Sequence, residues 1–367
     1  MNNYRKMLPE GVRDYCDSDM MKKDFIATTL KNLYIRYGYS LLETPTWEYV
    51  DVFNDNCIQN PNLYTLTNRN GEILALRSDM TKSVSRVLSN MDCKRLCYVT
   101  NIYRYPRQYA GKLHEFTQAG IELTDTDTVK ADVEAIRLAI LSLREIGLEK
   151  FSIHIGSSDF LKSILNISGN TELALEAIRN SDGVTLENCL KGNVPGDTLD
   201  MILELTSRVG KYELLEKITR KFPEDPSLKR LSEIYDNVRD YDNYINFDFS
   251  LLSYWDYYSG VTFQAFVKGV GRAVISGGRY TEDINHKTIS SVGFGMEINP
   301  LIGKIDLKNG KKHILIAYGG NAGVAWEKAD RLVKEGKIVT VSGADTMEEA
   351  RAEAEKLHCD EFLFFGE

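Results

Sequence analysis

Between Asp17 and Tyr39 apolar residues recur near helical spacing, with Met21, Phe25, Leu30, Leu33 and Tyr34 marking one face. Asp17 or Ser18 is placed to cap this helix and Gly38 to close it. SLLETPTWEY then alternates as a strand does, and Pro45, which has no N–H to donate, points to a sheet edge or an interface. Leu63 to Leu76 reads as a hairpin turning at Asn70-Gly71, a pair favoured in two-residue turns. Ser78 to Ser89 reads as helix and Arg95 to Tyr105 as strand. A loop over Pro106 to Gly111 leads to a second strand, Leu113 to Leu123, completing a long hairpin. Side chains along a strand alternate between faces, so Gln118 and Glu122, four residues apart, share one. Helix is expected over Val129 to Ile146 and strand around FSIHIG.

From residue 158 to 240 the pattern changes. Leu and Ile recur at spacings of three and four in FLKSILNI, LALEAIRN, MILELTSRV, LLEKITRKF and LKRLSEIYDNV, interrupted by Gly and Pro, which marks an inserted helical module. Strands return in INFDFSLLSYWDYYSGVTFQAFV and GRAVISGGRY, followed by the apolar run SVGFGMEINPLI. The stretch from His313 to Phe365 alternates strand, helix, strand, helix, strand, a small α/β unit with parallel pairing. The expected organisation is an α+β chain with one domain over 1–310, which includes the 158–240 module, and a second over 311–367.

Length and composition narrow the class. A chain of 367 residues exceeds the usual size of one core, and 43% hydrophobic with 27% charged residues is ordinary for a globular protein. No apolar run approaches the roughly 20 residues of a membrane span, and the start lacks the apolar stretch of a signal peptide, so a cytoplasmic location without membrane partners is expected. A net charge of −8 and a pI near 5.4 argue against a large basic surface, which makes nucleic acid a poor default partner. The six cysteines are scattered and expected to be reduced; Cys93 and Cys97, the only close pair, read as strand packing rather than as zinc ligands.

Conventional catalytic signatures are missing. The glycines at 269–271 and 318–323 suit a hairpin turn and a strand-to-helix turn, and neither has dinucleotide or P-loop spacing. There is no G-x-S-x-G or H-E-x-x-H, and the five histidines sit in unrelated contexts. No cofactor or metal is expected. What stands out is a set of polar and aromatic residues on segments that otherwise read as core: Asp79, Thr81, Gln118, Glu122, Tyr257 and Tyr258. Buried groups of this kind need partners, so they form either a self-satisfied network or the lining of a site for a small polar ligand.

Five segments, in order, resemble the catalytic domain of histidyl-tRNA synthetase, a class II aminoacyl-tRNA synthetase. LPEGVRDY and YGYSLLETPTWEY are similar to its N-terminus and motif 1, LRSDMTKSVSR to its L-R-P-E-x-T segment, and IYRYPRQYAGKLHEFTQAGIE to motif 2 with its Q-x-x-x-E. DYYSG and GGRY resemble its two histidine signatures. The resemblance spans residues 4 to 305 and implies an antiparallel sheet flanked by helices, with Pro45 at a dimer interface. It implies histidine-binding roles for Asp79 and Thr81 near the amino group, Gln118 near the carboxylate, Glu122 and Tyr258 at the imidazole, with Tyr257 beside them. It places Arg104, Lys112 and His114 in a former ATP site. A carboxylate suits an imidazole N–H because a charge-assisted hydrogen bond is about twice as strong as a neutral one.

The activating chemistry departs from that pattern. The arginine preceding G-L-D-Y-Y in the synthetases is Ser253 here, and the ATP-clamping arginine of motif 3 is Pro300. Loss of one preorganised charge stabiliser typically costs about 2.7–4 kcal/mol, so two losses imply negligible activation. This combination looks like the synthetase paralogues that regulate short-form ATP phosphoribosyltransferase. That resemblance implies a non-catalytic, cytoplasmic subunit that binds L-histidine and no tRNA. It also implies a homodimer within a hetero-oligomer, a hetero-octamer, with separate catalytic chains, and a shortened anticodon-binding-like domain after residue 311. The other readings are a divergent synthetase or histidine-activating ligase, and a histidine-sensing adaptor for a different partner.

Overall fold

The computed structural model describes residues 4–53, 62–106, 112–166, 171–251, 258–284, 286–307, 312–320 and 322–366. The chain runs through α1 (Asp17–Arg36), β1 (Ser40–Leu41), β2 (Trp47–Tyr49), β3 (Thr65–Thr67), β4 (Ile73–Leu76), α2 (Met80–Leu88), β5 (Arg95–Tyr103), β6 (Glu115–Leu123), α3 (Val129–Glu145) and β7 (Phe151–Ser157). The inserted module follows as α4 (Ser158–Leu165), α5 (Thr171–Arg179), α6 (Gly183–Leu190), α7 (Gly196–Ser207), α8 (Tyr212–Lys221) and α9 (Pro226–Val238). The chain then returns to strand in β8 (Ile245–Phe247), β9 (Tyr258–Val267), β10 (Ala273–Ile284) and β11 (Lys287–Glu297).

Among the described residues these strands form an eight-stranded sheet in the order β1-β5-β6-β11-β10-β9-β7-β8, and β2, β4 and β3 form a small separate sheet. The inner pairs are antiparallel, as expected, but both edges are not: β1 runs parallel to β5 and β8 parallel to β7. Each edge pair is joined by a long crossover rather than a tight turn, which is what parallel pairing requires.

One face of the sheet is covered by α1 and α3. Ile26, Leu30, Leu33 and Tyr34 of α1 and Ala135, Ile136, Ala139, Ile140 and Leu143 of α3 are buried against it, and Tyr34 meets Phe294 of β11 edge-on. A buried aliphatic side chain of this size contributes about 1.5–3 kcal/mol, so this layer anchors the sheet firmly. On the opposite face Met80 and Val84 of α2 pack on Leu96, Tyr98, Ile102 and Phe116 at one end, and the Asp248–Leu251 segment lies over Gly156 at the other. Between them the face borders a cavity.

Local expectations met three corrections. Cys16, not Asp17 or Ser18, occupies the N-cap of α1 and gives no side-chain cap; Asp17 lies in the first turn with a φ of 46°. The β3–β4 turn is a three-residue loop over Arg69, Asn70 and Gly71. Gly71 takes the left-handed conformation, and the Asn68 side chain accepts from the Asn70 and Glu72 N–H groups, drawing the turn one residue wider. The expected strand from Ile245 onward stops at Phe247, because Asp248 accepts from the Ser250 N–H and hydroxyl and turns the chain.

The chain divides into units at Met1–Ile305 and Asp306–Glu367, five residues before the expected boundary, which itself lies among residues 308–311 outside the described set. Ile305 is buried and remains with the core of the first unit. The second unit contains β12 (His313–Tyr318), α10 (Ala322–Lys334), β13 (Ile338–Val341), α11 (Met347–Lys356) and β14 (Glu361–Phe365). Its parallel sheet, ordered β13-β12-β14, packs Ile314 and Ile316 on α10 from one face and Leu315 and Ala317 on α11 from the other. Among the described residues no helix is long and apolar enough to cross a membrane.

Candidate functional site

Strand register sets three rungs across the open face. The first carries Gly278, Gly293, Glu122 and Leu96; the second Ser276, Gly295, Gly120 and Tyr98; the third Glu297, Gln118 and Thr100. Four of these positions are glycines, and over three of them polar side chains lie flat. A Cβ on Gly293 would stand 2.1 Å from Glu122 Oε2, one on Gly295 2.4 Å from Gln118 Nε2, and one on Gly120 2.5 Å from the Tyr98 hydroxyl. No side chain fits at such distances, so the glycine floor and the polar residues above it are one construction. They bound a cavity of about 360 Å³, within the roughly 300–1,000 Å³ typical of small-molecule sites.

Glu122 is 2% exposed. Its carboxylate accepts from the Tyr280 hydroxyl at 2.8 Å and from Thr81 Oγ1 at 3.1 Å, joining β6, β10 and α2. Burial pushes its pKa up to about 8; the nearby charges of Asp79 and Glu282 add to the rise, and the hydrogen bonds from Tyr280 and Thr81 oppose it. The Tyr280 and Tyr98 hydroxyls are likewise held well above their ordinary range, by burial first and by Glu122 second. Tyr98 donates to Gln118 Oε1 at 3.3 Å, which fixes the amide over the second rung. Tyr258, at the start of β9, lines the cavity beside Gly278.

Asp79 has two roles. As the N-cap of α2 it accepts from the Lys82 N–H at 3.3 Å, and it also faces the cavity. Arg104 donates two N–H groups to the Ser78 carbonyl, at 2.8 and 3.2 Å, and its Nη2 lies 3.9 Å from Asp79 Oδ2. Arg104 and the exposed Lys112 line the cavity.

His114, expected in the former ATP site, is not among the residues lining the cavity. It precedes β6, its N–H donates to the Gly11 carbonyl, and its buried ring packs on Gly11 and Tyr105 and hydrogen-bonds to the Tyr64 hydroxyl. Pro300 is also off the cavity, in the first turn of a 3₁₀ segment over Asn299–Lys304. Tyr257 and Ser253 lie outside the described residues.

Sequence reading did not single out Gln264, Arg272 and Glu297, and it met Tyr280 only as the last residue of GGRY; all four line the cavity. Arg272 Nη1 is paired with Glu297 Oε2. The glycine spacing in SVGFG, read only as an apolar run, was the available signal: two glycines two apart on one strand leave room on one face.

The cavity, its open sheet face and the mixed strand order define a class II aminoacyl-tRNA synthetase-like protein. The family model for histidyl-tRNA synthetase matches residues 11–301. The fold is also that of histidyl-tRNA synthetase from Nostoc sp. PCC 7120, with a TM-score of 0.81 at 17% identity over 99% of this chain and 92% of that one. Within this class the chain belongs to the family of ATP phosphoribosyltransferase regulatory subunits. It is 31% identical to that subunit of Clostridium novyi (strain NT) over 99% of this chain and 93% of the relative, and 33% identical to that of Thermoanaerobacter sp. (strain X514) over 90% and 93%. The solved structure of an ATP phosphoribosyltransferase regulatory subunit/histidyl-tRNA synthetase from Bacillus halodurans C matches all of both chains, with a TM-score of 0.85 and 25% identity.

Proposed function

We propose that this chain is the non-catalytic regulatory subunit of a short-form ATP phosphoribosyltransferase in histidine biosynthesis. In this reading it works in the cytoplasm, activates a separate catalytic chain, and carries feedback inhibition by binding free L-histidine in the cavity. The observation that carries the reading is Glu122, a carboxyl buried on the cavity floor that accepts from the Thr81 and Tyr280 hydroxyls. An imidazole, with one N–H and one acceptor nitrogen, can share a proton with such a group. Asp79 then meets the ligand's amino group, with Thr81 beside it, and Gln118 meets its carboxylate end. Tyr258 completes the imidazole end.

Binding without activation is the reading the resemblance implies, since Ser253 and Pro300 stand where the synthetases have arginines. The exposed apolar side chains of the small sheet, Trp47 at 57%, Tyr49 at 55% and Leu66 at 37%, support a homodimer within the hetero-oligomer.

The test is the rate of phosphoribosyl-ATP formation by a purified short-form catalytic subunit, with and without this chain, across a histidine titration. The chain raises the rate and histidine lowers it; Glu122→Ala abolishes the inhibition and spares the activation. A rate indifferent to the chain at every histidine concentration rejects the reading. ATP–pyrophosphate exchange dependent on histidine would instead establish the activating-ligase alternative.

A further inference from the structure

The cavity is longer than the ligand proposed for it. Glu122 and Gln118 are four residues apart on one strand, about 13 Å along the sheet, and a free amino acid with its ring on Glu122 ends short of the third rung. At and past that rung lie Glu297 and Arg272, with Phe116 two residues from Gln118 along β6 and Arg104 and Lys112 lining the same cavity. A space of this kind could take a ligand extended by a phosphate-bearing group, and its side chains decide whether it does.

They oppose it. Arg272 is paired with Glu297 of the third rung, and the two side chains are only 32% and 22% exposed. Arg104 is held by the Ser78 carbonyl and faces Asp79. A phosphate chain entering here would have to separate Arg272 from Glu297. It would then lie beside a carboxylate screened poorly by solvent, and like charges at a few ångström in such a setting repel. A neutral or zwitterionic ligand that stops at Gln118 meets neither obstacle.

We propose that the Arg272–Glu297 pair is a specificity device that closes the far half of the cavity to phosphate-bearing ligands, so that the site selects the free amino acid over a nucleotide or an adenylylated form. This deepens the histidine reading and names two residues, neither placed at the imidazole end, as the source of the discrimination.

Isothermal titration calorimetry of the full chain with L-histidine, ATP and inorganic tripolyphosphate tests it. The wild-type chain binds histidine and gives no saturable heat with ATP or tripolyphosphate. Glu297→Gln, which keeps the volume and removes the charge, and Glu297→Ala both gain binding of ATP and of tripolyphosphate. In each the ratio of histidine to ATP affinity drops at least about tenfold. Saturable ATP binding by the wild-type chain overturns the proposal even if neither variant folds, and so does an unchanged ratio in a folded variant. A gain for ATP without one for tripolyphosphate also overturns it, because the obstacle would then be the shape of the base rather than charge. A wild-type chain that binds no histidine rejects the proposed function instead, and the ATP and tripolyphosphate titrations still decide the role of the pair.

Discussion

Burial raises the Glu122 carboxyl to about 8, so before histidine binds it is protonated at neutral pH, a donor rather than an anion. The groups facing it are Asp79 at the start of α2, Glu282 on β10 with its partner Lys82, and the hydroxyls of Thr81 and Tyr280. Free imidazole titrates near 6.5. Between about 6.5 and about 8 the separated partners hold one proton between them, and the hydrogen-bonded pair also needs one, so binding there exchanges no proton with solvent. Below that window one proton must leave on binding; above it one must be taken up. Histidine affinity is therefore expected to peak inside the window and to fall by up to about tenfold per pH unit on either side. Calorimetry in buffers of different ionisation enthalpy reads both the affinity and the proton count, and a flat profile from about pH 5 to about pH 9 would reject the pairing. The same shift acts on folding. Between the unfolded carboxyl's value, about 4.3, and about 8 the native state binds the extra proton, so this group's contribution makes stability fall as pH rises. Glu122→Gln removes that dependence, and the variant's melting temperature should gain on the wild type through this range and then hold constant.

At the scale of the element, α2 ties fold to site at its N-cap, in the same turn as the Thr81 bond to Glu122. Asp79 both caps the helix and faces the cavity, so its two roles separate by substitution. Asparagine retains the cap and removes the charge; alanine removes both, and loss of a cap typically costs about 0.5–2 kcal/mol. Asp79→Asn is expected to melt close to wild type while binding histidine about tenfold more weakly, whereas Asp79→Ala loses stability as well. Equal histidine affinity in Asp79→Asn and wild type would mean that the carboxylate serves the helix alone. This duality also explains what could be read from the chain. Period-two spacing put Gln118 and Glu122 on one face of β6 because alternation is a local property. The rungs that bring Tyr280, Glu297 and the glycine floor to them depend on pairing between segments more than 150 residues apart, which no local pattern encodes. His114 shares the parity of Gln118 and Glu122 yet turns away, since it lies before the first residue of β6 and its N–H is taken by Gly11. The parallel edge strands were hidden for a similar reason, as their partners lie across the hairpins on one side and the whole helical module on the other.

For the assembled enzyme, thermodynamics constrains how a ligand buried here could act on a reaction in another chain. Histidine inhibits only if it binds the inactive arrangement of the complex more tightly than the active one, and a tenfold preference corresponds to about 1.4 kcal/mol. The coupling is reciprocal: substrates that favour the active arrangement must weaken histidine binding by the factor by which histidine weakens theirs. The factor is measurable from both sides, by titrating histidine into the complex with and without saturating ATP, and ATP with and without saturating histidine. Equal factors above one are expected for the wild-type complex. In a complex containing Glu122→Ala the effect of histidine on ATP affinity should vanish while ATP affinity itself stays at its histidine-free value, because the substitution removes the ligand's grip without touching the catalytic chain. Should inhibition survive that substitution in a folded complex, the signal must begin at a different histidine site, and the cavity on this sheet would then have to be explained as a site for activation alone.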